Sequence, residues 1–173
     1  PLASVLELQR AAAYSSLDLL GVFVDNHDVM RLASVCNSDL LRMEHALAFV
    51  ILMRGVPIIY SGTEQALKGS TGGPLNGNRY SLWANQGYDT QARLYAHIKA
   101  LNGVRRVHLM PLTRAGTRPD ARVVSVTNET LVLARGAHPP RLLLFVNNKP
   151  TSERAKPVRY CLGELEGGLL AAG

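Results

Sequence analysis

Two carboxylates, an imidazole and a carboxamide stand together at Asp25, Asn26, His27 and Asp28, directly after an almost wholly apolar run from Leu19 to Val24. Carboxylates and imidazoles exchange protons, hold hydroxyl groups and stabilise developing positive charge, so a strand that delivers them to a polar loop is a candidate site. The ordinary alternative for a four-residue stretch of this kind is a polar turn whose Asx side chains satisfy loose backbone donors. Downstream, Glu64 follows a second short apolar run, Val56 to Tyr60, and Arg79 lies beyond it. Arg79 is either a planar fork able to bond two hydroxyls or a plain exposed loop arginine. His45, His97 and His108 have no partners at meaningful spacing and read as structural or exposed. Cys36 and Cys161 have no nearby Cys or His at metal-ligand spacing and read as free thiols.

The elements that must position these groups follow from the apolar pattern. A run that is apolar at almost every position, as Leu19 to Val24 is, predicts a strand buried on both faces, the kind found in parallel sheets. Leu40, Met43, Leu47, Val50 and Ile51 recur at helical spacing, with Ser38 and Asp39 placed to cap the helix start and Gly55 to end it. Pro57 cannot continue a helix but can open the second strand. A further amphipathic helix is predicted from about Thr90 to Val104, with Leu94, Ile98 and Leu101 on one face. The order strand, loop, helix, strand, loop, helix predicts a right-handed βαβα unit, in which the two polar loops lie beside each other. The Gly-rich stretch from Lys68 to Tyr88 is too long for a plain connection and reads as a functional loop.

After His108 the pattern changes. Val123 to Val126, Leu131 to Ala134 and Leu142 to Val146 are short strand-like runs separated by turn residues, which predicts an antiparallel β domain. The expected division is therefore residues 1–107 and residues 108–173. Residues 1–17 carry a weak amphipathic helix through Leu6, Leu8 and Ala12.

Composition narrows the function classes. Of 173 residues 47% are apolar and 18% charged, enough apolar material for a packed core and too much for a disordered tail. The net charge of +6 is dispersed, with no basic run longer than Arg105 and Arg106, and aromatics are scarce, so no nucleic-acid site is read. No apolar run approaches the ~20 residues that span a bilayer, and no membrane role is expected.

With these residues in hand, the stretch Gly21 to Asp28 (GVFVDNHD) resembles the motif at the end of the seventh barrel strand of the α-amylase family, glycoside hydrolase family 13. Gly55 to Gln65 (GVPIIYSGTEQ) is similar to that family's eighth strand and the loop after it, in the right order and at the right distance. Asn78 with Arg79, Leu82 with Trp83, and Leu94 with Tyr95 carry the likeness further, over roughly residues 19–106.

The resemblance implies the C-terminal part of a (β/α)8 barrel, about strands seven and eight with their helices, followed by an all-β antiparallel sandwich. The activity it implies is hydrolysis of α-1,4-glucosidic bonds in starch and related α-glucans with retention, on a glucan or maltooligosaccharide partner, by an enzyme that is monomeric at full length. Asp28 resembles the third carboxylate of such sites, which stabilises the transition state, and His27 the neighbouring substrate-binding histidine. Arg79 resembles an arginine of the outer sugar subsites, Asn26 is implied to orient the loop, and Glu64 to be structural. In many relatives an aspartate precedes a proline shortly before the Asn-Arg pair, where this chain has Gly73, Pro74 and the extra residues Leu75 to Gly77. Trp83 and Tyr80 are expected to pack under the loop more than to stack on a sugar.

The nucleophile and the acid are implied to lie upstream, as are the ligands of the family's calcium ion, so no metal residue is assigned. Gly116 to Asp120 imitates the nucleophile pattern but follows the Asn-His-Asp motif and contains a proline. Taken alone, the chain is expected to be inactive, with unpaired strand edges exposed. A non-catalytic glucan-binding or vestigial protein and a related transglycosylase are the alternatives. The family occurs in secreted, plastidic and cytosolic settings, so no compartment follows.

Overall fold

The structure is a computed structural model that describes Tyr14, residues 16–69, 78–79, 81–83, 88–111, 121–136 and 140–147. The expected N-terminal helix, Cys161 and the Gly116 to Asp120 mimic lie outside these residues. The chain divides into two compact units, one of which is Asp18–Arg105.

In that unit β1 (Gly21–Val22) and β2 (Val56–Pro57) pair in parallel, with Gly21 opposite Val56 and Val22 opposite Pro57. Pro57 has no N–H to donate, and the ladder runs through its neighbours: Val56 N donates to Leu20 O and Ile58 N to Val22 O, each at 2.8 Å. The paired stretch is shorter than the apolar run that announced it, and burial on both faces is not found. Leu19 is 77% exposed, Phe23 49% and Ile58 48%. Both differences have one physical reason: among the described residues each strand is paired only with the other, and no second layer covers both faces.

Between the strands run α1 (Leu32–Val35) and α2 (Leu40–Leu52). Asp39, not Ser38, is the cap: its carboxylate accepts Leu41 N at 3.0 Å and Arg42 N at 3.2 Å. Ser38 instead shares with Asn37 a left-handed backbone that turns α1 into α2. The face of α2 carrying Met43, Leu47, Val50 and Ile51 is fully buried, while Leu40 is only partly so. Burying each such side chain contributes about 1.5–3 kcal/mol, and these four form the centre of the unit. At the other end of α2, the Arg105 guanidinium donates to the carbonyls of Ile51 (2.5 Å), Met53 (3.1 Å) and Gly55 (2.7 Å). A cation thus satisfies carbonyls the helix end leaves open.

Arg105 comes from α3 (Arg93–His108), which buries Leu94 and Leu101 and leaves Ile98 partly covered. The helix starts later than Thr90 because Asp89 first caps a turn, accepting Gln91 N at 2.7 Å. It runs past Val104 because backbone bonding continues where the apolar stripe stops. Its first residue, Arg93, grips Glu44 of α2 through two hydrogen bonds of 2.6 and 2.8 Å.

The hydrogen bond from Arg93 is the main cause that holds the Glu44 carboxyl below its ordinary range. A depressed folded value stabilises above the unfolded value, about 4.3, and that stabilisation is lost as pH falls through the lowered one. With Arg93 half exposed and solvent screening the pair, Arg93→Ala is expected to lower the urea midpoint only slightly at pH 7. That loss should shrink as pH falls through the lowered Glu44 value; an equal loss at pH 7 and well below that value would contradict the pairing.

Among the described residues from Arg106 on, the main structure is one antiparallel sheet ordered β3 (Ala121–Val126), β4 (Thr130–Arg135), β5 (Leu142–Asn147). The three runs read from the sequence each lie inside one of these strands. A β-bulge between Val123 and Ser125 shifts the register, and Thr127 Oγ1 closes the first hairpin by accepting Glu129 N and Thr130 N. Central β4 is buried at every residue from Leu131 to Arg135, with Val124, Val132, Ala134 and Leu143 packed together. The second sheet of a sandwich is not among the described residues.

Candidate functional site

The loop after β1 is built around a buried charge. Asp25, 2% exposed, accepts Leu32 N at 3.0 Å and Thr63 Oγ1 at 2.9 Å, so it joins the start of α1 to the loop after β2. Arg31, 3% exposed, lies opposite it, with Nε 3.5 Å from Asp25 Oδ2. The guanidinium also donates to Ser61 O at 2.8 Å and stacks 4.4 Å from the centre of the Tyr60 ring. A buried carboxylate or guanidinium alone would be costly, and each neutralises the other here while hydrogen bonds satisfy most of the remaining donors and acceptors. Arg31 Nε has no hydrogen-bond partner and is held by charge alone. Gly62, in the left-handed region at φ 91°, keeps this network closed: a Cβ there would stand 2.6 Å from Leu67 Cδ1 and 3.1 Å from Arg31 Nη2.

Above the buried layer, Asn26 Oδ1 accepts Asp28 N at 2.8 Å and Val29 N at 3.1 Å. This Asx turn faces His27 and Asp28 outward, their side chains 57% and 59% exposed. His27 Nε2 lies 3.2 Å from one Asp28 oxygen and Arg79 Nη2 3.4 Å from the other. An exposed carboxylate flanked in this way gains little stability from its neighbours, well under about 1 kcal/mol, so a ligand can displace them cheaply.

Arg79 is brought there by Asn78, which is 4% exposed. The Asn78 side chain donates to Val29 O, and the main-chain carbonyl of Asn78 accepts the Tyr60 hydroxyl at 2.8 Å. The three residues singled out from sequence, Asp28, His27 and Arg79, therefore meet at one point. Glu64 does not join them; its carboxylate turns back to accept Gly62 N at 2.9 Å within its own loop. Trp83 departs from the expected packing under the loop and is 74% exposed, since among the described residues no apolar surface covers that turn. Tyr80 and Gly73 to Gly77 lie outside the described residues. His97 is structural, its Nε2 3.1 Å from Glu44 O, and His108 is exposed.

Sequence reasoning named Asp25 only as part of the polar loop and missed the buried network it forms with Arg31, Tyr60 and Thr63. Their signal was faint: opposite charges six residues apart in an otherwise apolar setting, and a tyrosine closing an apolar strand. Among the described residues no group of three or more His, Cys, Asp or Glu is placed to hold a metal ion. Cys36 is a buried free thiol whose proton burial holds more tightly than usual. No helix among the described residues is long and apolar enough to cross a membrane.

Residues 7–99, which include both loops and all three converging side chains, match the family model described as the catalytic domain of alpha amylase. The chain belongs to the α-amylase family. It is 36% identical over 134 residues to alpha-amylase 1 of Schwanniomyces occidentalis, a match covering 78% of this chain and 25% of that one. An alpha-amylase structure from Malbranchea cinnamomea superposes with a TM-score of 0.67 at 34% identity, over 79% of this chain and 27% of the other. A cyclomaltodextrin glucanotransferase with a three-domain distribution follows at 0.61 and 29%, over 79% and 26%. This α-amylase-family chain thus spans about a quarter of the length of these relatives.

Proposed function

We propose that this chain supplies the ends of the seventh and eighth strands of a (β/α)8 barrel that hydrolyses α-1,4-glucosidic bonds of starch and related glucans with retention. The observation that carries the reading is the convergence of Asp28, His27 and Arg79 on one exposed point above two parallel strand ends. Such enzymes pass through an oxocarbenium-like state, which needs a nucleophilic carboxylate, an acid and stabilisation of the distorted ring. Asp28 takes the last role, its charge and acceptor oxygens engaging the ring's hydroxyls as positive charge grows. His27, 3.2 Å away, holds a hydroxyl of the same ring, and Arg79 grips the next sugar outward. Nucleophile and acid come from the rest of the barrel, and with them the calcium ion expected of the intact enzyme. The 173-residue chain by itself is inactive in this reading.

The test is a graft in which the stretch of the Schwanniomyces enzyme aligned with this chain is replaced by the chain's own residues. Linear maltooligosaccharides released with α-configured reducing ends are expected, read by chromatography and proton NMR. The likeness to a glucanotransferase favours one second reading, and cyclic or lengthened products would select it. Glucan binding with no bond cleavage would overturn both.

A further inference from the structure

The contact between Arg79 and Asp28 is too exposed to hold itself. Ordering the long Arg79 side chain offsets most of what a surface ion pair returns, so the direction of the guanidinium must be set from behind. Behind it stands Asn78, held at both ends: its side-chain amide bonds Val29 O, next to Asp28, and its carbonyl receives the Tyr60 hydroxyl at 2.8 Å. Tyr60 is itself fixed, because its ring covers the Arg31 guanidinium at 4.4 Å and Arg31 is locked to Asp25 and Ser61. A line of contacts therefore runs from the buried ion pair to the arginine at the surface.

We propose that Tyr60 is a positioning residue for sugar binding: its hydroxyl fixes the Asn78 carbonyl, which aims Arg79 at the ring next to the one Asp28 engages. The inference rests on the glucan reading above. Loss of one hydrogen bond in such a line is worth a modest factor, and a displaced planar fork loses the two-hydroxyl geometry it depends on. The Asp28 loop keeps its own supports in Asn26 and Asp25, so ring distortion at the cleavage point does not depend on Tyr60.

In the graft, Tyr60→Phe, which keeps the ring over Arg31, should raise KM for a maltooligosaccharide about three- to tenfold with kcat within about twofold. In an Arg79→Ala background the same change should have almost no further effect, because the group it positions is gone. Equal effects in the two backgrounds, or no effect in either, would overturn the proposal. If Arg79→Ala leaves KM unchanged, the outer-subsite assignment falls and this inference with it; if Arg79→Ala raises KM but Tyr60→Phe does not, only this inference falls.

A second readout needs no turnover. In the 173-residue chain the Asn78 side-chain amide protons should exchange slowly by NMR and about tenfold faster in Tyr60→Phe. Unchanged exchange would likewise refute the line of contacts.

Discussion

Arg31→Met should lower the unfolding free energy of the 173-residue chain by about 3–5 kcal/mol, the largest stability loss expected from a single change in the site. The reason is not the lost attraction but what remains. Asp25, 2% exposed, would keep its charge without a counter-ion, and Ser61 O would lose its 2.8 Å donor. Methionine fills much of the arginine's apolar volume, so the loss is one of charge and hydrogen bonding more than of packing. Neutralising the partner as well separates these effects. In Asp25→Asn with Arg31→Met, a carboxamide oxygen in the place of Asp25 Oδ2 can still accept Leu32 N, 3.0 Å away, and Thr63 Oγ1, 3.2 Å away, and no bare charge is buried. The double variant should therefore recover a large part of the loss, read as urea midpoints at constant slope. If the two changes simply add, the pair is not coupled as its geometry indicates.

That network also shows where sequence reading stops. The two strands, the helix between them and the three β runs after His108 were legible because apolar spacing reports burial directly, as Met43, Leu47, Val50 and Ile51 do. Asp28, His27 and Arg79 were legible only through a resemblance, since each alone is an ordinary polar loop residue. Arg31 and Tyr60 were not legible at all. Their meaning depends on contacts between positions 25, 31, 60 and 63, and a contact across 38 residues, such as Thr63 with Asp25, leaves no periodic trace. The expected burial of β1 and β2 failed for the opposite reason: apolar side chains state a demand for partners, and Phe23 and Ile58 show that demand unmet among the described residues. Trp83 is the same lesson on a loop, an aromatic whose type suggested packing and whose 74% exposure shows none.

The site splits into a buried part that fixes position and an exposed part that is free to act. Asp25, Arg31, Thr63 and Asn78 are each under 5% exposed, whereas Asp28, His27 and Arg79 are each more than half exposed. Rigid support beneath a solvent-facing carboxylate is what a group needs if it is to grip one ring shape better than another. Such a group speeds a reaction only if its contact strengthens as the ring becomes cationic, and this gives the account its most direct test.

Asp28→Asn in the graft removes that charge while keeping size and most hydrogen-bonding capacity. Losing one such electrostatic contact to a transition state costs a factor on the order of 10³ in turnover, while the neutral ground-state sugar is held almost as before. The measurement is kcat together with the dissociation constant for a maltooligosaccharide, on the graft and its Asp28→Asn form. A fall in kcat on the order of 10³ with the dissociation constant within about threefold is the result the account requires. Turnover within about tenfold of the unsubstituted graft, or loss of sugar binding in step with turnover, would contradict it.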